Sequence, residues 1–171
     1  MLGHPGGEGH SRYLMELAFL DVPSSWLDMG AGDGETVRIL RSMGHEAVGI
    51  DLCPRGADVQ QGDFLCCPYE DGVFDGVISQ CSFYISGNVP GALTEAARVL
   101  RRGGKLVFSD VTENVVQLLS DVRRAGFAVR HIEDLTDVWK EYYLEALWRE
   151  DEVCILPGKK VTYVLFVCER M

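Results

Sequence analysis

The stretch from Trp26 to Thr36 admits few backbone paths. Apolar Trp26 and Leu27 lead to the acid Asp28, and Gly30, Gly32 and Gly34 then occupy alternate positions ahead of a helix-compatible run. Glycine tolerates positive φ and leaves room beside the backbone. A helix starting just after the glycines would present unpaired N–H groups to whatever lies there. The pattern is that of a buried strand turning sharply into a helix beneath a nucleotide-like ligand.

The rest of the chain alternates strand and helix patterns around that turn. Residues 1–10 read as irregular, and Ser11 to Leu20 carries Tyr13, Leu14, Leu17, Ala18 and Leu20 at helical spacing. After the strand at 25–29, a helix runs from Gly34 to Met43, with Gly44 as its stop. Strands follow at 45–51, briefly at 58–61, and at 74–79. A helix from Val89 to Leu100 ends in an Arg101–Gly104 turn before a strand at 105–110. Helix 114–125, strand 127–132, helix 135–149, a Pro157-Gly158 turn and strand 161–168 complete the order. Such alternation predicts an α/β fold, a mainly parallel sheet with helices on both faces.

At 171 residues the chain suits one domain with one core. Its net charge of −10 disfavours a phosphate backbone as partner, so a small molecule is expected and no nucleic acid. No apolar run approaches the ~20 residues that span a bilayer, and Met1 to Gly7 lacks the basic start and apolar core of a signal peptide. The expectation is a cytoplasmic protein with no membrane partner. Cys53, Cys66, Cys67, Cys81, Cys154 and Cys168 form no C-x-x-C pair, so no metal site is expected and the thiols read as structural. Cys66 and Cys67 with Cys53 or Cys81 offer thiolates to a soft ion, the less favoured reading.

Ligands of open α/β sheets bind beyond the carboxyl ends of the strands. Asp28, Asp51 and Asp63 all fall there. Asp51 suits a ribose diol, and Asp63 suits an exocyclic amine such as that of adenine. Leu52 and Phe64 stand ready to cover the ring faces. A dinucleotide fingerprint needs a glycine three residues after the second, where this chain has Glu35, and a glutamate there would repel a pyrophosphate.

These residues resemble the class I (Rossmann-like) S-adenosylmethionine-dependent methyltransferases, in the small-molecule methyltransferase 11 group. Leu27 to Gly34 is similar to the family's first motif, Val48 to Asp51 to its second, Gly62 to Phe64 to its adenine-contacting motif, and Phe74 to Gln80 to its fourth. Leu93 to Asp110 is similar to its helix, turn and fifth strand. The resemblance implies S-adenosyl-L-methionine as cofactor and a seven-stranded sheet of order 3-2-1-4-5-7-6, with strand 7 antiparallel. It implies cofactor contacts at Asp28, Gly30, Ala31, Gly32, Asp51, Leu52, Gly62, Asp63, Phe64, Ser79 and Gln80. It further implies a division into an N-terminal lid at 1–22, a cofactor core at 24–112 and a substrate-side half at 113–171.

Two departures stand out. The segment after Asp51 is too short for the family's usual second helix, and a helix at 135–149 is additional. On the acceptor side the candidates are Tyr84, Tyr13 and His10, with His4, Cys81 and Trp139 behind them. The implied reaction is transfer of a methyl group to a small-molecule acceptor. Two other readings stay open: a non-catalytic binding protein that keeps the fold and dimerises through the 135–149 helix, and, less favoured, an NAD-type oxidoreductase.

Overall fold

The computed structural model describes residues 7–148 and 161–171. Among them a seven-stranded sheet runs in the order β3-β2-β1-β4-β5-β7-β6. The strands are β1 (Ser25–Met29), β2 (Glu46–Asp51), β3 (Val59–Gln61), β4 (Phe74–Gln80), β5 (Leu100–Thr112), β6 (Phe127–Asp134) and β7 (Thr162–Arg170). The first five are parallel, and β7 runs antiparallel between β5 and β6. Order and directions are those the resemblance implies.

Alternation along each strand sends successive side chains to opposite faces, and both faces are buried. One carries Leu27, Met29, Val77, Leu106, Phe108 and Phe166 beneath α3 (Val89–Val99) and α4 (Val115–Arg124). The other carries Trp26, Ile78, Val107, Leu165 and Val167 beneath α1 (Gly7–Ala18) and α2 (Glu35–Ser42). Each fully buried Leu, Ile or Phe contributes about 1.5–3 kcal/mol by leaving water. Trp26 and Tyr163 are the largest side chains buried on the second face.

Three sequence expectations need adjusting. Residues 7–10 are helical, because α1 begins at Gly7 and an ion pair from Arg12 back to Glu8 supports its first turn. The Arg101–Gly104 turn is counted within β5 as a bulge: Phe74 pairs with Leu100 and Gly76 already with Lys105, so the residues between swell outward. The additional helix, α5, spans Thr136–Trp148, one residue inside each predicted end. Residue 149, the Pro157-Gly158 turn, His4 and Cys154 lie outside the described residues.

After Asp51 the chain forms no helix and loops directly into β3, as its short length requires. Among the described residues no helix is long and apolar enough to cross a membrane.

Candidate functional site

Strand order reverses between β1 and β4, so a cleft opens at their carboxyl ends. The glycine turn lies there. Gly30 and Ala31 both donate N–H bonds to the Ile50 carbonyl, at 2.9 and 3.1 Å, which holds the turn against the end of β2. Gly34 has φ of 81°, a left-handed conformation that glycine adopts without a Cβ penalty, and it caps α2.

Asp51 closes the turn from β2. One carboxylate oxygen accepts the Gly32 N–H at 2.9 Å and the other the Cys53 N–H at 2.8 Å. Each oxygen keeps a lone pair for an outside donor. The loop after Asp51 folds back over the same turn. Arg55 N–H donates to the Gly32 carbonyl at 2.8 Å, and its guanidinium lies where a Gly32 side chain would project. A Cβ on Gly56 would fall 2.0 Å from the Asp33 carbonyl oxygen. The missing helix is thus replaced by a strap across the glycines.

The room beside the glycines is already in use. A Cβ on Gly30 would meet the Ser82 hydroxyl at 2.1 Å, and one on Gly34 would meet Val59 at 3.1 Å. At Gly32 the neighbour is the far end of a flexible arginine, which can swing away. Backbone approach by a ligand is therefore easiest at Gly32.

Asp28 lies beneath the turn and is 4% exposed. Its carboxyl accepts no hydrogen bond from any described residue. Burial, with repulsion from Asp51 and Asp33, pushes its pKa up to about 8. A buried, unbonded acid among other acids is costly unless a cation joins it.

Leu52 is exposed beside Asp51. Gly62 N–H donates to the Asp51 carbonyl at 2.9 Å. Asp63 caps a 3₁₀ turn, Phe64–Cys66, by accepting the Leu65 N–H at 2.8 Å. Phe64 is buried with its ring tilted against Phe83, 5.8 Å between centroids. Ser79 is 1% exposed and its hydroxyl donates to the Met29 carbonyl, so it braces β4 to β1. Gln80 donates its amide to the Ser11 hydroxyl at 3.1 Å, drawing α1 over the end of β4.

The acceptor-side candidates surround that helix. Tyr13 donates its hydroxyl to Glu133 at 2.9 Å, a bond that raises the tyrosine pKa and fastens α1 to β6. The His10 ring lies 6.3 Å from that of Tyr13. Tyr84 is half-buried just past β4. Cys81 lies 3.3 Å from the Tyr163 hydroxyl, which itself donates to Ser109 at 2.8 Å. Trp139 of α5 stacks on Tyr163 and Tyr143, giving that helix an aromatic seat on β7. Cys67 is buried and Cys66 exposed, so the adjacent pair is split between core and surface.

Residues 27–108 match the family model described as "Methyltransferase domain". The match places residues 27–108 in this family. It is 33% identical over 164 residues to the 18S rRNA (guanine-N(7))-methyltransferase bud23 of Schizosaccharomyces pombe, covering 78% of this chain and 60% of that protein. It is 37% identical over 123 residues to the sarcosine/dimethylglycine N-methyltransferase of Halorhodospira halochloris, covering 58% and 44%. The chain therefore spans about half the length of these methyltransferases. Among solved structures, Haemonchus contortus phosphoethanolamine N-methyltransferase 2, in complex with S-adenosyl-L-methionine, superposes with a TM-score of 0.79 at 18% identity. It covers 98% of this chain and 53% of its own.

S-Adenosyl-L-methionine is the cofactor of this methyltransferase family, and the residues present fit it. The molecule carries an ammonium and a sulfonium, which would offset the charge of the buried Asp28, and a ribose diol, for which Asp51 keeps open lone pairs. Sequence reasoning did not pick out Arg55 or Ser82, which occupy the space beside Gly32 and Gly30. Neither carries a signal in the sequence, because each is defined by a glycine that only folding brings beside it.

Proposed function

We propose that this chain transfers a methyl group from S-adenosyl-L-methionine to a small-molecule acceptor, with the cofactor held by Asp28, the Gly30–Gly32 turn, Asp51 and Leu52. The observation that carries the reading is Asp28. A carboxyl 4% exposed, to which no described residue donates a hydrogen bond, sits at the strand end where the cofactor's ammonium would arrive. The cofactor, when bound, supplies a methyl group on a positively charged sulfur.

The chain's own residues orient the partners and keep water away. Asp51 holds the turn in the shape a ribose can meet. The end of β4, with Cys81 and Tyr84, forms the wall on the acceptor side. Helix α1, fastened by Ser11 to Gln80 and by Tyr13 to Glu133, covers the cleft. A deprotonated amine or thiol acceptor needs only placement there, while an oxygen acceptor also needs a base.

A small acceptor is favoured by the net charge of −10, which repels a phosphate backbone. One relative is named for methylation of ribosomal RNA, so RNA is the competing acceptor class. Calorimetric titration with S-adenosyl-L-methionine, S-adenosylhomocysteine and NAD tests the cofactor side: micromolar binding of the first two and none of the third is expected. Binding of NAD alone would overturn the reading. Radiolabelled methyl transfer, offered metabolite extracts and ribosomal RNA in parallel, tests the acceptor class, and label in RNA only would move the acceptor out of the small-molecule class.

A further inference from the structure

Asp110 lies two residues before the end of β5, on the α3 face of the sheet, and is 5% exposed. Its carboxylate accepts the N–H of Tyr84 at 2.9 Å and that of Val111 at 2.8 Å. The N–H groups of Ser82 and Phe83 reinforce the same ionised group. The loop past β4 thus turns its N–H groups toward one anion, with that of Tyr84 bonded to it directly, a backbone nest built inside the protein.

The curl begins at Cys81. Its N–H donates to the Ser109 carbonyl at 2.8 Å, and its φ of 55° is left-handed in a residue that carries a Cβ. Such a conformation persists only where the surroundings impose it. Here the Cys81 bond to Ser109 and the Tyr84 bond to Asp110 bracket the turn. Burial pushes the Asp110 carboxyl up to about 6, while the backbone N–H groups near it pull the other way. An apolar residue at this position would avoid the burial of a charge but would release the loop.

What the loop carries is Ser82. Its hydroxyl donates to the carbonyls of Gln80 at 3.0 Å and Gly30 at 3.3 Å, and it fills the space above Gly30. Asp28 lies two residues before Gly30, so a cofactor whose ammonium meets Asp28 lays its amino-acid half against this corner. Its ribose meets the other end of the turn, at Gly32 and Asp51.

We infer that Asp110 is a positioning residue of the cofactor site: through the nest at Ser82–Tyr84 it seats Ser82 on Gly30 and so shapes the corner that receives the cofactor's amino-acid half. The inference rests on the cofactor reading above. It is tested with two ligands, S-adenosylhomocysteine and 5′-methylthioadenosine, which shares the adenosyl half but lacks the amino acid. Titration of the full chain carrying Asp110→Asn is expected to weaken S-adenosylhomocysteine by tenfold or more and 5′-methylthioadenosine by less than twofold. General loss of structure would weaken both alike, and that result, or unchanged affinity for S-adenosylhomocysteine, overturns the inference. Should Asp110→Asn fail to fold, Ser82→Ala leaves the nest intact and is expected to show the same selectivity at about threefold. Unchanged binding in that variant also overturns it. A wild-type chain that binds neither ligand overturns the cofactor reading and this inference with it.

Discussion

The Gly32 N–H donates to the Asp51 carboxylate at 2.9 Å, which ties the glycine turn after β1 to the end of β2. The other Asp51 oxygen takes the Cys53 N–H at 2.8 Å, so one carboxylate sets both loops that flank the cleft. The proposed ribose contact and the shape of the turn therefore depend on the same side chain.

Asp51→Ala is expected to weaken S-adenosyl-L-methionine by more than about tenfold, because it removes charged acceptors from two hydroxyls. Calorimetry on the folded variant measures this. Retained affinity would show that the ribose lies elsewhere.

Asp28 makes stability depend on pH. Its folded pKa of about 8 lies above the ordinary carboxyl value, so the folded chain holds a proton that the unfolded chain has released. That contribution is complete below about pH 4 and is lost as pH rises through about 8. Asp28→Asn cannot ionise, so the ligand-free variant should gain in melting temperature over wild type as pH rises from 5 to 9. The same variant should lose the melting shift that S-adenosylhomocysteine gives wild type. A pH-independent difference between the two chains would contradict the assignment.

Gly76 packs its Cα against the Trp26 indole, and a Cβ there would come within 2.5 Å of the ring. Trp26 is 1% exposed and has nowhere to retreat. Gly76→Ala should cost about 1–3 kcal/mol through overpacking, read as a lower urea midpoint with an unchanged slope. No loss would mean that the β1–β4 contact is looser than described.

The Tyr13–Glu133 bond lies at the surface and contributes less than ~1 kcal/mol to global stability. Its effect is local. Tyr13→Phe should leave the melting temperature within about 2 °C while amides of α1 exchange faster with deuterium. Unchanged exchange would mean that α1 is held by its apolar face alone.

Much of this was legible in the residues. The glycine spacing, the acids at strand ends and the alternation of strand and helix patterns are local, and the strand order follows from their resemblance to a known family. The short segment after Asp51 predicted the loss of a helix simply because it is too short to form one. Sequence could not show that Asp63 caps a turn, that Phe64 packs into the core, or that Ser79 braces Met29. Those facts depend on partners brought close by folding. The same holds for Arg55 across Gly32, for Ser82 over Gly30, and for Asp110 facing the N–H groups of a loop 26 residues earlier. The sequence by itself determined the turn and the alternation of strand and helix, because backbone freedom and hydrophobic period act between near neighbours, and its resemblance to a known family implied the sheet order and the cofactor class. Only the tertiary structure decided which acid is left buried and unbonded and which are satisfied, because hydrogen-bond satisfaction depends on donors that distant strands supply.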